Sequence, residues 1–254
     1  MKSNRIIREL VSMIVLTTIA ISFGTMTGYS QKDISKEQDN KGSRDLSKHL
    51  TVDYDAPESN NAIEREKRKL KNQRYDNRGW VRKNPHPESV GVSCDDCVSP
   101  PPAIPADKSN FVIIGEIISA SAFLSNDKRG IYSEYAIRID EILKEDGSNK
   151  VAPKDSITAD RAGGSVWYPN GQKVFYEMSE QDLPRVGSRY LLFLNNTDQS
   201  PNYNILVAYE LTNGKVYPLD DGPPRNFKEM DEIEIIKKVR EAVKQSSKTS
   251  PTNY

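Results

Sequence analysis

The feature that most constrains the fold is a short apolar segment, Tyr-Leu-Leu-Phe-Leu, at 190–194. It is apolar in both alternating phases and too short for a helix, so it predicts a strand that is buried on both faces. Pro184 and Gly187 precede it and mark the start of the strand. A strand covered on both faces lies in the middle of a core. Residues 183–195 are therefore predicted to hold the central strand of the folded domain.

Other strand patterns surround this segment. Residues 111–124 predict a long first strand, and Gly115 within it allows the sheet to coil or bulge, which favours a barrel. Asn170 and Gly171 predict a type I′ hairpin turn. No helical pattern separates the strands, so a mainly β domain, a small antiparallel barrel or sandwich, is predicted at 109–221. The other predicted strands are 131–143, 156–161, the two strands of the hairpin 165–176, 203–211 and 215–219.

The last predicted element is an amphipathic helix within 222–245, with Asn226 as its N-cap. Acidic residues come early in it and basic residues late, as the helix dipole favours. One face is predicted to pack on the barrel, and the alternative is that this face binds a partner helix. Residues 246–254 are predicted to be a polar tail. The apolar positions of the helix are Phe227, Met230, Ile233, Ile236, Val239 and Val243.

Residues 1–30 have the pattern of a secretory signal peptide. Three basic residues precede an apolar run at 10–23, and the small residues Gly28 and Ser30 predict cleavage after residue 30. The alternative is an uncleaved membrane anchor, although the run is shorter than the roughly 20 residues that a membrane span needs. The pattern predicts a secreted, periplasmic or cell-surface protein in a compartment that permits disulfides.

Residues 31–108 are predicted to be a disordered linker, polar and basic at first and rich in proline later. Residues 63–75 favour a helix, yet their only apolar positions are Ile63, Leu70 and Tyr75, so a solvated or transient helix is expected. A locally basic tract at 65–83 can contact an anionic cell surface or polymer, or it is an ordinary solvated run of charges. The whole chain has 36 Lys and Arg against 36 Asp and Glu, so no nucleic-acid partner is predicted.

Cys94 and Cys97 form a Cys-x-x-Cys pair in this linker, and three interpretations are open. The first is a structural disulfide. The second is a thiol-redox pair, which the two intervening aspartates disfavour because a nearby carboxylate raises a thiol pKa. The third is a metal site assisted by Asp or His86, although zinc prefers four ligands and the chain offers only two Cys and two His. No cofactor is predicted.

Aromatic residues concentrate in the predicted barrel, where eight of the 12 Tyr lie. A candidate binding face consists of Tyr132, Trp167, Tyr168 and Tyr176, because aromatic rings on the outward phase of a strand can stack on a ligand. The alternative is that these rings pack in the core and pair across strands.

The predicted barrel contains no His and no Cys, which removes most nucleophile, base and transition-metal sites. Carboxylates remain, but the sequence does not show which of them face one another, so a paired-acid site is not predicted. The chain is predicted not to be an enzyme. The carboxylates on predicted strands are Glu116, Glu134, Asp140, Asp160 and Glu177.

Three short motifs resemble the netrin-like, tissue-inhibitor-of-metalloproteinases-like OB domains of secreted proteins. They are Phe-Val-Ile-Ile-Gly-Glu at 111–116 after the Cys pair, Ile-Asp-Glu-Ile-Leu-Lys at 139–144, and Val-Gly-Ser-Arg-Tyr-Leu-Leu-Phe-Leu at 186–194. The resemblance covers about 94–242 and implies an OB-like barrel. In that family the leading cysteines tie the N-terminal segment to the barrel, and true inhibitors chelate a protease zinc through an N-terminal Cys. Here no Cys follows Cys97, and Cys94 is internal.

The sequence therefore predicts an exported, non-catalytic interaction module of unknown ligand, with a protein or another cell-envelope component as its partner. Contact with a membrane is expected only through an uncleaved signal segment. Two alternatives remain: a thiol-redox or metal-binding protein acting through the Cys pair, and an extracellular protein that resembles a protease inhibitor.

Overall fold

The computed structural model describes residues 50–77, 81–83, 90–94, 101–146, 151–178, 181–196 and 202–249. All of them belong to one unit, Asp45–Tyr254. The predicted signal peptide at 1–30 and the first part of the predicted linker lie outside these residues. No helix among the described residues has the length and apolar character that crossing a membrane requires.

The described chain is mainly β, as predicted. Its helices are α1 (Ala62–Gln73) and α2 (Glu232–Thr249), and a 3-10 helix spans Pro223–Phe227. Its strands are β1 (Thr51–Asp53), β2 (Val81–Lys83), β3 (Val90–Cys94), β4 (Phe111–Leu124), β5 (Ile131–Glu145), β6 (Ser156–Ala162), β7 (Gly164–Trp167), β8 (Lys173–Met178), β9 (Arg189–Asn195), β10 (Asn202–Thr212) and β11 (Lys215–Pro218).

Five strands form a closed ring of hydrogen-bonded pairs in the order β4, β5, β6, β10, β9 and back to β4. β11 pairs with β10 and extends this sheet. Four of the five ring pairings are antiparallel, but β6 and β10 are parallel, which corrects the prediction of a wholly antiparallel domain. The reason is topological: β7, β8 and β9 intervene, and β10 then returns beside β6 in the same direction.

The apolar segment at 190–194 forms β9, and all five of its residues are fully buried. Tyr190, Leu192 and Leu194 face the interior of the ring, where they pack with residues such as Ile113. Leu191 and Phe193 face outward into a second core, which α2 covers. The prediction of a strand buried on both faces is confirmed, and burying each such large side chain contributes about 1.5–3 kcal/mol.

The long first strand is bulged where the sequence predicts it. The register of β4 against β5 shifts between Ile114 and Gly115. A Cβ at Gly115 would lie 2.6 Å from the carbonyl oxygen of Arg138 on β5. Only glycine permits this close approach of the two backbones, and the bulge lets the strand bend around the ring.

A second sheet has the strand order β1-β7-β8-β3-β2. Gly163 and Gly164 carry the chain from β6 into β7 with φ values of 115° and 146°, so they form a bend between the sheets. The turn between β7 and β8 is not the predicted type I′ turn. Gly171 has a positive φ, Asn170 does not, and Tyr168 pairs with Gln172 to close a longer loop.

The C-terminal helix exists, but it begins later than predicted. Asn226 lies in the 3-10 helix and does not cap α2, which starts at Glu232. The backbone of Glu229 and Met230 bonds instead to Val216 on β11, and these sheet-like hydrogen bonds outcompete an earlier helix. Ile235 on α2 is fully buried in the outer core. α2 also continues through part of the predicted polar tail to Thr249, whereas 250–254 lie outside the described residues.

Much of the predicted disordered linker has regular structure, which corrects that prediction for its described residues. β1 pairs in parallel with β7, β3 pairs in parallel with β8, and β2 pairs with β3. Asn61 caps α1 by accepting hydrogen bonds from two backbone amides. α1 is not a solvated helix, because Lys71 and the following Tyr75 are only 6% and 2% exposed. Tertiary contacts with charged residues, described below, order a segment whose few apolar positions favour disorder.

Candidate functional site

Of the four predicted aromatic site residues, Trp167 is the one whose side chain is well exposed, at 46%. It is the last residue of β7, and strand alternation turns it outward while the preceding Val166 is fully buried. Its cross-strand neighbours are Asp53 on β1 and Lys173 on β8. Every other aromatic side chain among the described residues is buried or half-buried. It therefore presents a large apolar ring beside one acidic and one basic neighbour.

Two tyrosines lie next to Trp167 at the same end of the sheet. The backbone N–H of Tyr54 donates to the Trp167 carbonyl oxygen at 2.9 Å, and the rings of Tyr54 and Tyr168 stack with their centroids 4.9 Å apart. Both tyrosines are half-buried. Lys128 donates to the Tyr54 carbonyl oxygen at 3.0 Å and places its Nζ 4.5 Å from the Tyr54 ring centroid. We call Tyr54, Trp167 and Tyr168 the aromatic rim.

The structure does not assemble the four predicted aromatic residues into one face, which corrects that prediction. Tyr176 is 7% exposed, and its hydroxyl is hydrogen-bonded to the Tyr168 hydroxyl at 2.8 Å. Tyr132 is fully buried beneath α1. The two residues are buried for different reasons. Tyr176 lies on the inward-facing phase of β8. Tyr132 lies on the outward-facing phase of β5, but α1, which was predicted to be solvated, covers that side of the strand.

The cover over Tyr132 is a network of charged and aromatic side chains. On β5 and β6, Glu134 lies directly opposite Asp160. Lys71 of α1 places its Nζ 2.5 Å from Glu134 Oε2 and 3.1 Å from Asp160 Oδ2. Arg68 donates to Glu134 Oε2 at 2.8 Å and to the Tyr132 hydroxyl at 3.0 Å. Tyr75 donates to Asp160 Oδ1 at 2.7 Å and stacks on Tyr132 with centroids 4.2 Å apart. We call this set the α1 interface.

The α1 interface changes the acidity of its members. Burial acts to raise the pKa of Glu134, but hydrogen bonds from Lys71 and Arg68 outweigh it and hold the pKa below its ordinary value. Burial raises the pKa of the Tyr132 phenol well above its usual range, although Arg68 opposes the shift. Glu134 therefore stays ionised and Tyr132 stays neutral near pH 7, so the helix is held by full charges.

A second charged pair lies deeper in the fold. Arg161 on β6 and Asp220, two residues after β11, are 1% and 0% exposed and form an ion pair. The second carboxylate oxygen of Asp220 accepts a hydrogen bond from the Ala208 backbone N–H at 3.0 Å. Within the described chain, Arg161 Nε and Nη1 have no hydrogen-bond partner. Burial raises the pKa of Asp220, and the charge of Arg161 opposes the rise. This pair joins β6 to the end of β11.

Two of the other carboxylates considered for catalysis, Glu116 and Asp140, are held by arginines. Glu116 pairs with Arg138. Asp140 accepts a hydrogen bond from Arg189 Nε at 3.2 Å. Glu177 lies on β8, on a different sheet from the other carboxylates. The structure thus brings together only Glu134 and Asp160, and a lysine lies between them.

The Cys pair is described only in part. Cys94 ends β3, where its backbone is in register with Met178 of β8, and Cys97 lies outside the described residues, as do His49 and His86. Within the described ranges, no three His, Cys, Asp or Glu side chains are grouped so that they could hold a metal ion. The disulfide, redox and metal hypotheses for Cys94 and Cys97 stay predictions.

Sequence reasoning missed the α1 interface, although a signal for it was present. Arg68, Lys71 and Tyr75 follow one another at i, i+3 and i+7, a spacing that places them on one face of a helix. Their ordering partners, Glu134 and Asp160, were recognised only as scattered acids. No protein-family model matches this chain, and a comparison with curated proteins gives no match.

Proposed function

We propose that this chain is an exported, non-catalytic interaction module, built on an OB-like barrel, that binds a partner protein through the aromatic rim. The ring order supports the barrel. The first ring strand, β4, pairs with the second and the fourth, and a single parallel pairing joins the third to the fifth. This strand order is compatible with the five-stranded Greek-key barrel of an OB fold. It is also compatible with the resemblance to netrin-like domains.

The observation that carries the binding proposal is the exposure of Trp167. Tryptophan is among the residues that contribute most to protein interfaces, since it buries a large ring with few rotatable bonds. Tyr54 and Tyr168 flank it, while Asp53, Lys128 and Lys173 provide polar groups around the rings. An apolar centre with a polar surround is the composition of a binding hot spot.

The electrostatics of the paired acids support a non-catalytic role. Glycoside hydrolysis by two carboxyl groups needs one of them to stay protonated, with a raised pKa, as the general acid. Glu134 has a lowered pKa instead. Lys71 contacts both carboxylates, and α1 covers them. Glu134 and Asp160 are thus arranged to hold a cation rather than to transfer a proton.

The proposal is tested by capturing partners from the native envelope fraction with the wild-type chain and with Trp167→Ala. Ile233→Ala is the matched control, because Ile233 is 79% exposed but lies on α2. A partner that uses the rim is expected to bind Trp167→Ala about 30-fold more weakly, the equivalent of about 2 kcal/mol, and to bind Ile233→Ala normally. If every captured partner binds Trp167→Ala as tightly as wild type, the rim is not the binding site.

Export is tested separately. We expect the mature protein to be found outside the cytoplasm with Gln31 as its first residue, because the small residues Gly28 and Ser30 match a signal-peptidase site. Cell fractionation and N-terminal sequencing measure both. An intact N-terminus on a cytoplasmic protein would contradict export while leaving the binding proposal open to its own test.

A further inference from the structure

The outer face of β5 and β6 is chemically unusual for a surface that a helix covers. Its centre is the cross-strand pair of Glu134 and Asp160, whose side chains are 22% and 1% exposed. Beside them lie the ring of Tyr132 and, from β4, the ring of Phe123, with centroids 5.6 Å apart. The face thus combines two carboxylates with two aromatic rings. We call it the acidic groove.

α1 occupies the acidic groove with its charged side and not with its apolar side. Arg68 and Lys71 reach the carboxylates, and the guanidinium carbon of Arg68 lies 3.6 Å from the Phe123 ring centroid. The apolar side chains Ile63 and Leu70 point away and are each 68% exposed. Ile63 and Leu70 therefore contribute little to the docking, and the apolar contact comes from Tyr75 after the helix, which is 2% exposed and packs with Tyr132, Ala162 and Met178. Charge pairing, cation–π contact and one stacked tyrosine decide its orientation.

Two carboxylates that are this buried need a cation. If α1 left the groove, Asp160 and Glu134 would remain as uncompensated negative charges, a costly arrangement. Any replacement must supply the same groups in the same places: a guanidinium over Phe123, an ammonium between the carboxylates, and an aromatic ring on Tyr132. A helix with Arg and Lys at i and i+3, followed by a turn that places Tyr at i+7, supplies all three.

We propose that the acidic groove is a docking site for a basic helix of a partner protein, and that α1 is its built-in occupant, which the partner helix displaces. Charge complementarity identifies the partner's chemistry, since α1 itself shows which groups fit. While α1 is docked, only the small undocked fraction of the protein binds, so the apparent affinity for a partner is lowered by that fraction. This site is separate from the aromatic rim and does not depend on it.

The probe is a fluorescent synthetic peptide with the sequence of residues 59–77, titrated with the full chain and followed by anisotropy. Lys71→Glu should weaken the chain's own α1 and make the chain bind the wild-type peptide on the order of tenfold more tightly than the unmodified chain does. Lys67→Glu is the matched control, because it makes the same charge change on an exposed position of α1. Equal peptide affinity for Lys71→Glu, Lys67→Glu and the unmodified chain would overturn the proposal.

A charge-swap experiment guards against loss of folding. A chain with Glu134→Lys and Asp160→Asn should reject the wild-type peptide but bind a peptide that carries Lys71→Glu, a gain that an unfolded chain does not show. Asp160→Asn is included because Lys71 contacts both carboxylates, and Asp160 would otherwise repel the glutamate of the swapped peptide. Failure of the swapped peptide to bind more tightly than the wild-type peptide would overturn the proposal.

Sedimentation of the unmodified chain completes the test. Self-association that the wild-type peptide suppresses would assign the groove to a second copy of this chain and overturn the assignment to a partner. Trp167→Ala should leave peptide binding unchanged. The proposal for the aromatic rim and the proposal for the acidic groove are therefore tested independently.

Discussion

The buried ion pair between Arg161 and Asp220 makes a sharp prediction about stability. Asp220→Ala leaves a guanidinium that is 1% exposed without its counter-ion, and Arg161 cannot escape the cost by losing its proton. Removing one partner of a buried pair typically costs about 3–5 kcal/mol. The Ala208 N–H also loses its acceptor, which adds about 1 kcal/mol or more. At about 2–4 °C per kcal/mol for a unit of this size, the ion-pair loss alone should lower the Tm by roughly 6–20 °C.

The opposite single variant should behave differently. Arg161→Met leaves Asp220 buried, but a carboxylate can bind a proton, and burial already raises the pKa of Asp220. A pKa that is raised by folding means that the folded protein favours the protonated form of Asp220. Protonation of Asp220 therefore stabilises the fold at low pH, and this stabilisation is lost as the pH rises through the folded-state pKa. The cost of Arg161→Met should therefore shrink as the pH is lowered, whereas the cost of Asp220→Ala should not.

Urea and thermal unfolding, followed by near-UV circular dichroism, measure these effects, and the double variant Arg161→Met/Asp220→Ala completes a cycle. We expect the double variant to be at least about 2 kcal/mol more stable than the sum of the single losses predicts, since no uncompensated charge remains. Glu116→Ala, which breaks an exposed ion pair with Arg138, is the control and should cost less than about 1 kcal/mol. Single losses that add within about 0.5 kcal/mol would refute the reasoning.

Three further predictions concern the core, the bend and the helix cover. Leu192→Ala should cost about 2–5 kcal/mol in urea unfolding because Leu192 is fully buried in β9, whereas Val186→Ala, at a 54% exposed position, should cost less than about 0.5 kcal/mol. Gly164→Ala should be more destabilising in the same assay than Gly171→Ala. Both have positive φ, but a Cβ at Gly164 would meet neighbouring side chains at 3.1 and 3.2 Å, and one at Gly171 meets nothing within 4 Å. Glu134→Gln should cost stability near pH 7. In the folded protein, hydrogen bonds from Lys71 and Arg68 outweigh burial and hold the Glu134 pKa below its ordinary value of 4.5. The ionised carboxylate therefore stabilises the fold at any pH above 4.5, and this stabilisation is lost as the pH falls through the folded-state pKa. The difference in unfolding free energy between wild type and Glu134→Gln should therefore shrink below about pH 4.5, and a difference that stays constant there would contradict it.

The core was predictable because its signals are local. Five apolar residues in both phases of a strand require burial on both faces, whatever the neighbouring strands are. A glycine inside a long strand marks a bulge because only glycine accepts the close backbone of the neighbouring strand, and Gly115 is such a position. The spacing of apolar residues predicted the C-terminal helix, although its start was wrong, since backbone hydrogen bonds to β11 compete with the first helical turn.

The candidate site was less predictable because its parts lie far apart in the chain. Trp167 was correctly singled out as an outward aromatic residue, but Tyr54, its neighbour in space, lies more than 100 residues earlier and entered no prediction. Tyr132 was placed on the outward phase of its strand, and nothing in its local sequence shows that a helix covers it. A periodic pattern shows which side of a strand a residue faces, but not what lies against that side.

The amino-acid sequence by itself determined the mainly β character of this protein, the buried strand at 190–194 and the amphipathic helix near its C-terminus, because each depends on interactions within one short segment. Only the tertiary structure decided that residues 63–75, predicted as a solvated or transient helix, are docked against the sheet. Its apolar positions are too few to fold it, and the carboxylates that hold it, Glu134 and Asp160, come from strands more than 60 residues away. The spacing of Arg68, Lys71 and Tyr75 marks one side of this segment, but it does not show whether carboxylates or solvent lie against that side. The segment is therefore recognised as docked only once its partners are placed beside it.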